Sequence, residues 1–197
     1  MHGRITGRLA DGHRAIGLVL FTKLKISVCE RYLYPSLLIL IMNEYNQKLI
    51  DYIKVNNVQA EHLVFQTSCH SVQEAAVTAN AKVEDFVKNV CVINEESGKL
   101  IVCIIGGNKK LDLRKLADIL RTRKLRLARS DEVLEKTGYP AGGTPSFGYW
   151  TTFFIDKEVL EKEIVYSGGG STNALTKISP KEIIRVNHAK IEDISKV

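Results

Sequence analysis

Two glycine-dense segments and one lysine hold the residue types best suited to chemistry. The longer segment reads Gly138-Tyr139-Pro140-Ala141-Gly142-Gly143-Thr144-Pro145-Ser146-Phe147-Gly148, and the shorter reads Ser167-Gly168-Gly169-Gly170-Ser171-Thr172-Asn173. Glycine lets backbone N–H groups approach a ligand closely and take up positive φ. Such loops serve as anion cradles or oxyanion holes, and equally as ordinary turns. The prolines stiffen the longer one. Lys88 opens an apolar run of strand character. A fixed cation there suits a phosphate or a developing oxyanion, and would otherwise simply be solvated.

A third feature is basic. Lys109, Lys110, Arg114, Lys115, Arg121, Arg123, Lys124, Arg126 and Arg129 face only Asp112 and Asp118 over the same 21 residues, a local excess of +7. This reads either as the solvated face of a helix or as a phosphodiester-binding face. No aromatic residue is interleaved, so base stacking is not expected along it.

Other chemistries find no support. His2, His13, His62, His70 and His188 form no H-E-x-x-H or close ligand pair, so no metal is expected. Cys29, Cys69, Cys91 and Cys103 contain no C-x-x-C. Cys91 and Cys103 sit in apolar runs and are expected as buried thiols in neighbouring strands, a cross-strand disulfide being conceivable in geometry only. There is no G-x-S-x-G, G-x-G-x-x-G or Walker A sequence, and no cofactor is expected. The expected machinery is backbone dipoles plus a lysine.

The elements that must position these groups alternate between strand and helix patterns. Residues 63–66 read as a strand. Ser71-Val72-Gln73-Glu74 is a capping box opening an alanine-rich helix. Residues 89–93 and 100–105 are β-branched runs joined by Asn94-Glu95-Glu96-Ser97-Gly98-Lys99, a hairpin. Residues 112–120 carry the spacing of an amphipathic helix. A strand over 125–128 and a helix capped by Ser130 and stopped at Gly138 follow. Strands are expected over 151–155, 164–167 and 175–178, with a short charged helix between the first two. Ser179-Pro180-Lys181-Glu182 then opens a last helix. The fold class is mixed α and β, with a mixed rather than purely parallel sheet.

The chain has 197 residues, 45% apolar and 25% charged, a globular balance that excludes a disordered chain. Its net charge is +6, but +4 of this lies in residues 1–41. Neither apolar stretch there, 16–21 or 37–42, reaches the roughly 20 residues needed to span a bilayer, and no signal-peptide cleavage pattern follows. A helix capped by Asn43 and closed by Asn56-Asn57 is expected next. The domain is therefore expected to occupy 42–197, with Met42 as the true start. Residues 1–41 would be an upstream translation, or else a poorly packed extension.

Taken together, Phe65-Gln66-Thr67, Val87-Lys88-Asn89-Val90, Leu111-Asp112-Leu113-Arg114-Lys115-Leu116, Arg126-Leu127-Ala128, the Thr137–Gly148 segment, the glycine loop and Ile178-Ser179-Pro180 occur in an order that resembles the YbaK/ProX family of aminoacyl-tRNA deacylases. That family is similar in turn to the editing domain of prolyl-tRNA synthetases. The resemblance covers about residues 59–193. It implies a mixed, partly barrel-like sheet flanked by helices, and hydrolysis of the ester joining a wrong amino acid to a tRNA in the cytoplasm. It also implies that Lys88 is the functional lysine, which would fix the terminal nucleotide. Gly142, Gly143, Thr144, Pro145, Ser146, Phe147 and Gly148 would form the substrate loop, whose N–H groups hold the ester carbonyl oxygen. Ser167, Gly168 and Gly169 would make the opposite wall, with Thr67 contacting substrate. Lys109, Lys110, Arg114, Arg121, Arg123, Lys124 and Arg126 would meet the tRNA backbone.

The implied partners are a mischarged tRNA, foremost a small amino acid on proline tRNA, and an aminoacyl-tRNA synthetase, with no membrane or DNA. Ser146 stands where the family carries proline, and Asn173-Ala174-Leu175 lacks the family's acidic residue. A catalytically silent tRNA- or nucleotide-binding module on the same fold, or hydrolysis of another small ester, are the competing readings.

Overall fold

The central hairpin forms because two eight-residue runs rich in Val and Ile flank a turn in which Gly98 takes up a positive φ of 66°. In a computed structural model that describes residues 35–69 and 71–196, β2 (Val87–Asn94) pairs antiparallel with β3 (Lys99–Gly106), with Lys88 opposite Ile105. Chain contacts divide the protein into Met1–Ile39, of which only the opening of a helix is described, and Leu40–Val197, which carries the fold below.

That helix, α1 (Pro35–Val55), begins upstream of the expected Asn43 cap. Proline at the first helical position loses no hydrogen bond, so the apolar run after Pro35 continues straight into the predicted helix. Asn57, at φ 48°, follows its end. The expectations for residues 1–34, like those for His2, His13 and His70, lie outside the described residues.

Next come β1 (Ala60–Val64) and α2 (Val72–Ala79), whose cap is the expected one: Ser71 Oγ accepts from the Glu74 N–H at 3.2 Å. Residues 83–85 form a single 3-10 turn before β2. After β3 come β4 (Lys110–Leu111), α3 (Leu113–Leu120) capped by Asp112, β5 (Leu125–Leu127) and α4 (Ser130–Thr137). The α4 cap is shifted one residue from expectation. The Glu132 carboxylate reaches back to the Arg129 N–H at 2.9 Å, which makes Ser130 the first helical residue. The chain ends with β6 (Thr152–Asp156), a 3-10 turn at 157–161, β7 (Val165–Gly168), β8 (Ala174–Ile178), α5 (Pro180–Asn187), β9 (Lys190–Glu192) and β10 (Ser195–Lys196).

The strands make a five-stranded sheet in the order β5-β2-β3-β6-β9, a three-stranded sheet β1-β8-β7 and the pair β10-β4. The large sheet is mixed: β6 runs parallel to both β3 and β9, while β2 is antiparallel to β3 and β5. Phe86 bridges to Tyr166 and β2 lies against β7, so the two sheets wrap partly around one core.

Strand alternation divides the large sheet's apolar residues between two faces. Val87, Cys91, Ile93, Val102 and Ile104 face Leu49 of α1, Val133 of α4 and Ile183 of α5. Val92, Ile101, Cys103 and Ile105 face Leu116 of α3. Full burial of a side chain such as Leu116 contributes about 1.5–3 kcal/mol. Cys91 and Cys103 therefore point to opposite faces, Cys91 opposite Val102 and Cys103 opposite Val90, which removes the cross-strand disulfide. Burial pushes both thiols up to about 12. Among the described residues no helix is long and apolar enough to cross a membrane.

Candidate functional site

Where the two sheets meet, Phe86, just before β2, and Lys88 and Asn89 at its start approach the two glycine segments and the first turn of α2 around a cleft of about 160 Å³. Its floor and walls include Gly142, Thr144, Ser167 and Gly168. Phe86 and Tyr166 stack at 5.0 Å as an aromatic wall. Ser71 and Cys69 close the side toward α2. The volume is below the usual range for drug-sized pockets, about 300–1,000 Å³, so the cleft has room for a small group only.

The glycines explain how two loops can share one wall. A Cβ on Gly143 would stand 2.6 Å from the Ser171 carbonyl carbon, and one on Gly168 would collide with the Thr144 carbonyl. Gly170 donates its N–H to the Gly143 carbonyl at 2.8 Å, Gly169 to Ala174 at 2.9 Å and Gly143 to Pro140 at 3.0 Å. These donors are spent on holding the loops together. Gly142 and Thr144 both line the cleft, and their N–H groups meet no acceptor among the described residues. Only these two of the seven loop residues line the cleft. Gly143, Pro145, Ser146 and Phe147 are buried behind it, Gly148 lies against Leu49 and Tyr139, and Gly169 is buried as well. Thr67 is exposed and lies 3.2 Å from Thr78 Oγ1, away from the cleft lining.

Two residues without an assigned role in the sequence reading organise this wall. Asn89 shares the core face of β2 with Val87 and Cys91. Its Nδ2 donates to the Thr144 carbonyl at 2.8 Å and to Ser167 Oγ at 3.0 Å, and its Oδ1 accepts from Ser146 Oγ at 2.8 Å. The available signal was an amide at a core position of an apolar strand, which must find partners. His62, on β1, contacts the Gly169 carbonyl through Nε2 at 2.7 Å. A carbonyl only accepts, so Nε2 carries the proton. Burial lowers the His62 pKa, and the bond to Gly169 opposes this in part.

Lys88 is the cation of the cleft. Burial lowers its pKa from the ordinary lysine value, and neighbouring Lys110 lowers it further. The two ammonium groups together favour an anion, and an anion bound between them would restore the protonated form.

The basic run is not one uniform face. Lys109 pairs with Glu158 at 2.8 Å, and Arg126 forks onto Glu132 with two 2.7 Å bonds while reaching Glu95 at 3.1 Å. Lys110, Arg114, Arg121, Arg123 and Lys124 are exposed and make no ion pair among the described residues. Lys110 lies at the Lys88 end of the sheet, whereas the Lys124 carbonyl accepts from Glu95 beside the hairpin turn. Six strand residues separate the two ends, or about 20 Å.

The sequence profile of the Aminoacyl-tRNA editing domain matches residues 66–186, more than half of the chain and every cleft residue named above except the supporting His62. The chain belongs to this family. The editing domain is 27% identical over 129 residues to the "Uncharacterized protein YwhH" of Bacillus subtilis (strain 168), covering 64% of this chain and 81% of that protein. It is 22% identical over 127 residues to the "Putative Cys-tRNA(Pro)/Cys-tRNA(Cys) deacylase EbsC" of Enterococcus faecalis, covering 64% and 77%. Among solved structures it superposes with a TM-score of 0.70 on the hypothetical protein APE2540, at 31% identity over 76% of this chain and 99% of that one.

Proposed function

We propose that this editing domain acts as a trans-editing deacylase, hydrolysing the ester of a mischarged aminoacyl-tRNA, with a small amino acid on proline tRNA as the first substrate class to test. The observation carrying this reading is that Lys88, Gly142 and Thr144, the last two with unspent N–H groups, line one small cleft in a chain of the editing family. The named function of the relative EbsC supports the same chemistry.

The reaction transfers an acyl group from the terminal ribose oxygen to water. Water attacks the ester carbonyl carbon, and the carbonyl oxygen gains negative charge that the Gly142 and Thr144 N–H groups stabilise. The C–O bond to the ribose breaks, and the departing oxygen takes the proton that water gives up. Lys88, with Lys110 nearby, holds the terminal nucleotide by a phosphate or carbonyl oxygen. The Phe86–Tyr166 stack offers an apolar surface to the substrate. The ester is already activated, so positioning and charge stabilisation supply the rate, with the adjacent ribose hydroxyl assisting the water. The partners on this reading are a charged tRNA and, in the cytoplasm, the synthetase that mischarged it.

A deacylation panel of mischarged proline tRNAs, comparing wild type with Lys88→Ala, tests the proposal. Turnover by wild type and a loss of about 100-fold or more in the variant are expected. Intact tRNA binding with no turnover on any substrate would identify a silent binding module instead.

A further inference from the structure

The hydroxyl groups behind the cleft can be followed proton by proton. The Thr144 carbonyl accepts only, so the Asn89 atom 2.8 Å away is the amide nitrogen. Asn89 Oδ1 then faces Ser146 Oγ at 2.8 Å, and Ser146 spends its single proton there. Ser146 Oγ and Ser167 Oγ are 2.7 Å apart, and the proton between them must come from Ser167. The second Asn89 N–H closes on Ser167 Oγ at 3.0 Å. Asn89, Ser146 and Ser167 thus form a closed ring with its direction fixed. Ser146 is fully buried, and the Asn187 amide holds its carbonyl at 2.8 Å.

The consequence falls on Ser167, which lines the cleft from an almost fully buried position, 1% exposed. Its proton is committed to Ser146 and one lone pair to Asn89, so what it can offer a substrate is its remaining lone pair. The hydroxyl of Thr144 is likewise spent, on the Pro140 carbonyl at 3.0 Å. We infer that Ser146 is a positioning residue which makes Ser167 an acceptor-only group, and that Ser167 receives the donor every aminoacyl ester carries, its α-ammonium. This rests on the editing reading and deepens it. A proline at position 146, as in the resembling family, could stiffen the loop but could not close the ring.

Binding of two non-hydrolysable analogues of the charged terminal adenosine tests the inference. One carries an alanyl group in amide linkage to the 3′ position, and the other a propionyl group, which lacks the ammonium. Wild type is expected to prefer the alanyl compound about tenfold, the worth of one charge-assisted hydrogen bond. The preference should fade as pH rises past about 8, where an α-amino group loses its proton. Ser146→Ala and Ser146→Pro should lose the preference, read as the ratio of the two affinities in each variant, while Ser146→Thr, which keeps the hydroxyl, should retain it. A preference that survives in Ser146→Pro would show that stiffness alone suffices and overturn the inference, as would equal binding of both compounds by wild type. Binding of neither compound would instead count against the editing reading itself.

Discussion

Gly170 donates its backbone N–H to the Gly143 carbonyl across 2.8 Å, which makes one wall out of two loops that are remote in sequence. The contact exists because Gly143 has no side chain: a Cβ there would lie 2.6 Å from the carbonyl carbon and 2.8 Å from the carbonyl oxygen of Ser171. Backbone atoms cannot rotate aside, so Gly143→Ala must push the loops apart. Overpacking of this kind costs about 1–3 kcal/mol, which for a chain of this size is about 3–10 °C in Tm. Thermal denaturation reads it directly, and a shift below about 1 °C would show that the loops separate without cost.

Asn89 makes two bonds of the buried ring and a third to the Thr144 carbonyl outside it. Asn89→Ala leaves the Thr144 carbonyl and the Ser146 and Ser167 hydroxyls to find new partners. The expected loss is about 1–3 kcal/mol of stability. Deacylation should also fall about tenfold or more, because Ser167 and Thr144 both shift. Binding of tRNA through the exposed cations should survive. Urea denaturation, single-turnover deacylation and a tRNA binding titration separate the three effects. Unchanged turnover in a destabilised variant would confine Asn89 to a folding role.

The parts of this architecture legible in the sequence are those whose causes are local. Ser71 with Glu74, and Ser179 with Pro180 and Glu182, are caps set by residues a few positions apart, and each stands as the spacing predicts, whereas Asp112, read as part of its helix, caps it instead. The hairpin is legible for the same reason. The start of α1 was not, because Asn43 offered a stronger local cap than Pro35. At the site, Lys88 and the glycine loops stood out by residue type. Asn89 did not, since its partners lie 55 and 78 residues away. The same distance effect hid the pairing of Arg126 with Glu95, which local charge counting cannot see.

That distinction divides the basic run into two experimental classes. Arg121, Arg123 and Lys124 are exposed without ion pairs among the described residues, and Arg121 is also the left-handed C-cap of α3 at φ 52°, so reversing all three to Glu should cost about 1 kcal/mol, chiefly from the acidic residue at that helix end. The reversal should weaken tRNA binding and lower its salt slope, by about 0.9 for each duplex phosphate no longer neutralised. Arg126→Ala should lower stability while leaving the salt slope unchanged, because its guanidinium is committed to Glu132 and Glu95. Affinity measured across a series of salt concentrations, with a melting curve for each variant, decides the matter. An unchanged slope in the triple variant would dispose of this face as a tRNA-binding surface.

The same ion pair sets a pH dependence. The Arg126 fork, followed by the Arg129 N–H, pulls the Glu132 carboxyl down from 4.5 to about 2. A carboxyl whose folded pKa is depressed stabilises the fold above its unfolded value and loses that contribution as pH falls through the folded one. Wild type should therefore melt above Glu132→Gln by a constant margin from pH 8 to about pH 5. The margin should shrink as pH falls from about 4.5 toward 2, where Glu132 is fully protonated in the unfolded chain and about half protonated in the folded one. Asp193, also held near 2 by Lys115 and Lys157, titrates in the same window, but it does so equally in both proteins and cancels in the difference. Melting curves of the pair at one-unit pH intervals measure the margin. A margin that persists undiminished at pH 2 would mean that the Glu132 side chain stabilises α4 by packing or neutral hydrogen bonds, not by its charge.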